Sequence, residues 1–142
     1  MLELKNIRKV FNERTVDEAV IFNDFSFSLD EGTFLSIVGS NGSGKTTLLN
    51  LICGSDHVNG GQILFDQKDI TNLAEYKRAA FIGRVFQNPQ MGTCPDLTII
   101  ENMALADNKG KSFGLVPAVN KKRIDYYRSL VSECGMGLEN RM

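Results

Sequence analysis

The sequence has little that would tie it to metal, to an oxidising compartment or to nucleic acid. Its three cysteines, Cys53, Cys94 and Cys134, are far apart and form no C-x-x-C pair, so neither a zinc site nor a disulfide framework is indicated. Reduced thiols in a cytoplasmic protein are the simplest account. The one histidine, His57, stands in a loop-like stretch, 54–61, and no role follows from it. Sixteen basic against seventeen acidic residues leave a net charge of −1, which gives no reason to expect nucleic acid as a partner. No run approaches the ~18 apolar residues that cross a bilayer. Met1–Asn6 carries charge where a signal peptide has its apolar stretch. A role at a membrane would therefore act through a partner. Internal repeats and low-complexity tracts are also lacking. With 42% apolar and 23% charged residues over 142 positions, one globular domain is the default.

What is there centres on Gly39-Ser40-Asn41-Gly42-Ser43-Gly44-Lys45-Thr46-Thr47, which fits G-x-x-x-x-G-K-[ST], the P-loop. Glycines at 39, 42 and 44 allow positive φ and remove side chains that would bar a phosphate. The freed N–H groups form an anion-binding nest. Lys45 brings a point charge for the β- and γ-phosphates of ATP, Thr46 a hydroxyl for Mg²⁺, and Thr47 a further hydrogen bond to phosphate. Chance would produce the pattern in roughly one chain in a few hundred of this length. The flanks agree with it. Residues 33–38, Thr-Phe-Leu-Ser-Ile-Val, read as a short buried strand, and 45–53 as an apolar helix stopped by Gly54. Strand, glycine loop and helix together aim a helix N-terminus at phosphate. A Rossmann loop would need glycine where Thr47 stands.

In chain order, 2–11 alternates as a half-exposed strand that breaks into a turn, and 12–19 reads as a loop. Phe25, Phe27 and Leu29 alternate with polar residues as a period-two strand. Residues 62–65 read as a strand, 66–69 as a turn, 72–80 as a short helix and 81–86 as another buried strand. Pro89 ends that strand and extends Asn88. Thr98 and Glu101 form a capping box, with Ile99, Ile100, Met103 and Ala104 on one face of the helix that follows. Residues 108–119 read as an insertion loop. Asn120 caps a helix with Ile124, Tyr127, Leu130, Val131 and Cys134 on one side, ended by Gly135. Lys109, Lys111, Lys121, Lys122 and Arg123 form a basic patch that reads as a solvated face.

These motifs in this order resemble the N-terminal part of an ABC transporter ATP-binding subunit. The resemblance runs in register over nearly the whole chain. It is carried by 2–11, by Asn23–Leu29 with Glu31-Gly32, by Gly60–Asp66, by Ile82–Pro89 leading into a "Q-loop", and by Leu97–Asn102 opening a helical subdomain. It implies an α/β P-loop NTPase fold of ABC type, incomplete, with a β-rich and P-loop core over 1–86 and the Q-loop with part of the helical subdomain over 87–142. It makes Phe11 the ring that stacks on adenine, although a phenylalanine packed in the core is the other reading. Phe22 is a rival aromatic that aligns with a packing position. Gln87 is the glutamine that reaches Mg²⁺ or the attacking water, so that Lys45 and Gln87 are the catalytic candidates and Thr46 and Gln87 those for the metal. Asp66 imitates a Walker B aspartate, but it follows the P-loop too closely and is expected to be a turn residue.

The resemblance also implies ATP and Mg²⁺ as cofactors, a second ATP-binding subunit as dimer partner, and a transmembrane permease. The last would hold the protein on the inner face of the plasma membrane. A likeness to amino-acid importer ATPases of the tryptophan/tyrosine type is strongest over 89–107. No LSGGQ-like stretch, Walker B motif, catalytic glutamate or switch histidine is found. A truncated reading frame or gene fragment is therefore expected, with negligible turnover alone and an exposed strand edge near Ile37-Val38 that favours aggregation. The alternative is a non-catalytic nucleotide-binding or interaction fragment. Another P-loop enzyme, such as a kinase or GTPase, fits the Gln87 segment poorly and lacks an N-K-x-D motif.

Overall fold

The computed structural model describes residues 1–109, 111, 119–135 and 137–138. Most of the expected 108–119 loop and the last residues of the chain lie outside the described residues. Contacts divide the chain into two compact units, Met1–Ile82 and Gly83–Met142.

The first unit is built on an antiparallel sheet. Strand β1 is Leu2–Phe11, β2 is Ala19–Leu29, β3 is Gly60–Phe65 and β4 is Lys68–Asp69, in the spatial order β2-β1-β3-β4. The alternation of Phe25, Phe27 and Leu29 is realised, but β2 begins at Ala19, earlier than the polar sequence suggests. Tertiary pairing with β1 recruits these residues, since Phe11 pairs with Ala19 and Val10 with Val20.

Alternation in β1 fails after Leu4 because the strand carries a bulge. Between Leu4 and Ile7 it advances three residues while β2 advances two, from Phe27 to Phe25. Asn6 sits at φ 51°, and its N–H donates to Ser26 Oγ at 2.9 Å. The extra residue returns Ile7 to the face that Leu4 occupies, so both are buried. Gly61 lies across from the bulge at φ 89°, where a Cβ would strike the Lys5 and Asn6 carbonyls.

Helix α1, Lys45–Cys53, has the predicted bounds. Its Leu48 and Leu51 close over Leu4, Ile7, Ile63 and Ile70 to make the core, with Phe22, Phe25 and Phe27 packed against it. The β3–β4 hairpin turns at Asp66 and Gln67, both at positive φ, the pattern of a type I′ turn. Asp66 is thus a turn residue, and its carboxylate accepts from the Met1 amine at 2.5 Å. Helix α2 is confined to Glu75–Arg78, shorter than the expected 72–80.

Two expected strands are not formed. Residues 33–38 and 81–86 form no strand. Their composition suits a ladder, but a strand exists only where another strand takes its hydrogen bonds, and no such partner occurs among the described residues.

In the second unit, Asn88 Oδ1 accepts from Gln90 N at 3.1 Å and caps a single 3-10 turn, Pro89–Met91. Helix α3, Ile99–Asp107, opens with the predicted capping box. Thr98 N donates to Glu101 Oε2 at 2.8 Å, and Glu101 N donates to Thr98 Oγ1 at 3.3 Å. Helix α4, Lys121–Glu133, is capped by Asn120, which accepts from Arg123 N at 3.0 Å. Ala104, Tyr127 and Val131 are buried. Cys134, expected on the same side of α4, is exposed.

Candidate functional site

Residues 39–47 form an exposed loop that runs into the first turn of α1. Gly42 and Gly44 stand at φ 82° and 88°, a region that costs an L-residue strain. Gly39 and Gly44 have a steric reason as well, whereas a Cβ at Gly42 would meet nothing within 4 Å. A Cβ at Gly39 would lie 2.6 Å from Ser43 Oγ. A Cβ at Gly44 would lie 2.9 Å from Ile21 Cγ2 and 3.2 Å from Phe22 Cζ. Strand β2 therefore runs hard against the end of the loop and sets where α1 begins. Phe22 packs into the core cluster, in keeping with a packing position.

Gly44 is the N-cap of α1 and offers no side chain to the helix. Its carbonyl accepts from Leu48 N at 2.8 Å. The N–H groups of Lys45, Thr46 and Thr47 have no carbonyl within the helix to bond. They form the positive end of the helix dipole and meet a loop of further amides, an arrangement that takes an anion. Lys45 Nζ donates to the carbonyls of Gly39 at 2.8 Å and Ser40 at 2.6 Å, with Ser43 Oγ at 3.4 Å. The ammonium so fastens the start of the loop to its end. Thr46 is exposed on this first turn and Thr47 is half-buried. A hard cation such as Mg²⁺ prefers few protein oxygens together with phosphate oxygens and water. The hydroxyl of Thr46 fits that requirement, and among the described residues no cluster of three or more His, Cys, Asp or Glu offers another metal site.

The far end of α1 is held by a residue whose part the sequence did not disclose. Arg78 is 1% exposed. Its Nη1 donates to Leu51 O at 2.7 Å and Ile52 O at 3.0 Å, its Nε to Leu73 O at 2.8 Å and its Nη2 to Thr71 O at 2.8 Å. A cation on the last carbonyls of a helix satisfies orphan acceptors and complements the dipole. Burial pushes the guanidinium's pKa down, while Cys53 and Asp69 act in the opposite sense. Gly54, at φ 84°, leaves room for it, since a Cβ there would lie 2.8 Å from Arg78 Nε. Sequence offers one hint only, a glycine stop followed by an arginine in the next helix.

Phe11 ends β1 and is 37% exposed, which separates it from the buried cluster. Lys9 Nζ lies 4.5 Å from the centre of its ring. Gln87 is exposed in the second unit, after Arg84, whose guanidinium carbon lies 4.4 Å from the Phe86 ring centre. The P-loop and Phe11 belong to the first unit and Gln87 to the second. His57 N donates to Asp56 Oδ1 at 2.7 Å, a loop contact. The basic patch is partly neutralised, because Lys111 Nζ lies 3.1 Å and Arg123 Nε 3.8 Å from Asp107.

Comparison with known proteins gives a consistent result. A family model described as ABC transporter matches residues 22–138. The tyrosine transport ATP-binding protein of Clostridioides difficile (strain R20291) is 48% identical over 122 residues, which are 86% of this chain and 49% of that protein. The spermidine/putrescine import ATP-binding protein PotA of Mannheimia succiniciproducens is 39% identical over 104 residues, 73% of this chain and 26% of that protein. A nucleotide-free ATP-binding cassette from an ABC transporter matches with a TM-score of 0.70 at 28% identity, over 94% of this chain and 53% of its own. A dimeric cassette in a post-hydrolysis state, bound to ADP and Pi, matches with a TM-score of 0.71 at 30% identity, over 92% of this chain and 55% of its own. The chain spans about half the length of the first of these relatives and about a quarter of the second. The family match covers most of the chain and includes the phosphate-loop residues, so the chain belongs to the ABC transporter family of ATP-binding cassettes.

Proposed function

We propose that the 39–47 loop binds the phosphates of Mg-ATP, and that the chain serves as an ATP-binding subunit of an ABC transporter. The observation that carries this reading is the loop itself, with two left-handed glycines, a helix N-terminus and the Lys45 ammonium drawn in by the Gly39 and Ser40 carbonyls. Lys45 and the amides of 42–47 hold the phosphates, and Thr46 holds the metal. When bound, Mg²⁺ supplies charge neutralisation at the phosphates. Phe11 offers a face to the base, and Gln87 belongs to the same reading as the group that meets metal or water. A permease and a second ATP-binding subunit are the partners, and the permease places the chain at the inner face of the plasma membrane. The two divisions of function are 1–86 and 87–142. The tyrosine and spermidine/putrescine relatives support import of a small solute, an amino acid foremost.

The test is titration of the 142-residue chain with a fluorescent ATP analogue and Mg²⁺. Saturable binding is expected, and Lys45→Ala should weaken it roughly tenfold to a hundredfold, the worth of a charge-assisted contact. Binding that ignores Lys45→Ala overturns the reading. Turnover by this chain is expected to be negligible, because positioning and electrostatics supply phosphoryl transfer and the 142 residues contain neither a Walker B motif nor an LSGGQ stretch. Binding without turnover is also what a non-catalytic nucleotide-binding module would show. Turnover at the rate of a full-length subunit, abolished by Lys45→Ala, would rule that module out.

A further inference from the structure

The one lysine of the first unit that is buried lies beside the ring assigned to the base. Lys9 is 6% exposed, which is rare for lysine unless it is paired. It is paired in two ways. Its Nζ donates to Asp56 Oδ1 at 2.7 Å and to His57 O at 2.8 Å. The same ammonium stands 4.5 Å from the centre of the Phe11 ring, two residues along β1 and so on the same face of the strand. The loop that supplies Asp56 is itself pinned to β1. Asn59 N donates to Arg8 O at 2.8 Å, and Val10 N donates to Asn59 Oδ1 at 2.8 Å. The ammonium therefore has little freedom, and the ring it touches is held from one side.

We propose that Lys9 is a positioning residue for nucleotide recognition, holding Phe11 so that its opposite face is presented to the base. A cation attracts the negative face of an aromatic ring. One face of Phe11 is thereby taken and the other remains for stacking. Asp56 and the His57 carbonyl fix the ammonium and so fix the ring. The alternative is that Lys9 and Asp56 only fasten the loop to the sheet. The two differ in what they do to the base as opposed to the phosphates. The inference rests on the reading of Phe11 as the base platform, and the experiment separates the two.

The experiment compares ATP with inorganic triphosphate, which has the phosphates but no base, as competitors of a bound fluorescent nucleotide on the full chain. Phe11→Ala should weaken ATP roughly tenfold, the worth of one base stacked on a ring, and leave inorganic triphosphate unchanged. Lys9→Met should weaken ATP roughly threefold to tenfold and leave triphosphate unchanged. Lys9→Arg, which keeps a cation over the ring, should restore most of the ATP affinity. Because the chain has no tryptophan, Phe11→Trp supplies a lone tryptophan, excited at the red edge where tyrosine does not absorb, that ATP should quench and triphosphate should not, with less quenching when Lys9→Met is added.

If Phe11→Ala shifts ATP but Lys9→Met does not, the positioning role is refuted and the platform reading survives. If Phe11→Ala leaves ATP unchanged, the platform reading fails and takes the inference with it. Equal losses of ATP and triphosphate in Lys9→Met mark a purely structural lysine and overturn the proposal. Should Lys9→Met not fold, Asp56→Asn carries the same comparison, because it loosens the ammonium without burying a new apolar chain. Selective loss of ATP in Asp56→Asn supports the proposal, and an unchanged ratio refutes it.

Discussion

Ile63 and Ile37 belong to two short segments that a propensity scale ranks in the wrong order. Residues 33–38 are β-branched and aromatic throughout, apart from Leu35 and Ser36, whereas β3 begins with two glycines and a glutamine. Yet β3 is a strand with β1 on one side and β4 on the other, and 33–38 has no ladder among the described residues. Ile63 is 1% exposed and Ile37 is 38% exposed. The difference lies in partners. β1 takes the hydrogen bonds of β3, and α1 covers its apolar face. β-propensity measures how well a residue fits a pleated, half-buried surface, and it cannot create that surface.

The comparison can be broken with one substitution made twice. Ile63→Ala should cost about 2–5 kcal/mol, the range for truncating a fully buried isoleucine. Ile37→Ala should cost less than about 1 kcal/mol. Denaturant unfolding of the two variants checks this, and equal losses would show that 33–38 is packed in solution as tightly as β3.

Arg78 sharpens the same contrast from the polar side. Arg78→Gln should cost about 2–3 kcal/mol, because it strips buried carbonyls of the Leu51–Thr71 region of their donor. If the loop is positioned by α1 from its far end, nucleotide affinity should fall in parallel. Thermal unfolding with and without ATP reads both effects. A variant as stable as the wild type would mean that water replaces the guanidinium.

Much of this was legible in the residues, and the failures have physical causes. The P-loop and α1 were readable because glycine spacing, one lysine and an apolar run are local signals, and local signals suffice for a helix with a glycine at each end. The α3 capping box was readable for the same reason, since Thr98 and Glu101 are three residues apart. The start of β2 was not readable, because Ala19 to Phe22 owe their strand to β1 across the sheet. Residues 33–38 and 81–86 misled because their composition states what they would do with a partner. Lys9 and Arg78 were hidden because a charged residue is ordinarily exposed, and only distant Asp56 and the α1 carbonyls show otherwise. Lys9 left a trace, sharing the period-two face of β1 with buried Ile7.

A smaller effect is expected in the second unit, where electrostatic contacts add to apolar packing. Asp107 accepts from Lys111 Nζ at 3.1 Å and from the Tyr127 hydroxyl at 3.1 Å, with Arg123 Nε 3.8 Å away. The Lys111 hydrogen bond first, and that of Tyr127 second, hold the carboxyl below its ordinary range. A carboxyl whose folded pKa is depressed adds stability above its unfolded pKa, and that stability is lost as pH falls through the folded value. Amide protection in α4, taken as exchange relative to the intrinsic rate at each pH, should therefore fall on acidification below the ordinary carboxylate range. Asp107→Asn should flatten that dependence. Glu101 is also depressed, by its Thr98 contacts, so a residual slope should remain and disappear with Glu101→Gln. An unaltered profile in Asp107→Asn would show that the α3–α4 contact is held by Tyr127 and Val131 packing alone.

The smallest change in stability should come from the open face of 33–38. Phe34 is 95% and Val38 90% exposed, whereas Leu35 and Ile37 on the alternate face are less than half exposed. One side of the segment is thus partly covered and the other carries apolar groups into solvent. Replacing these with Phe34→Ser and Val38→Thr removes no buried contact and keeps a β-branched residue at 38. The fold should change by less than about 0.5 kcal/mol. Association should change more, because an unpaired apolar edge templates pairing with another chain. The double variant should stay monomeric in light scattering at concentrations where the parent chain associates. If instead it loses more than about 1 kcal/mol with no gain in solubility, Phe34 and Val38 are covered in solution. The unpaired segment would then be as much a part of the folded core as β3.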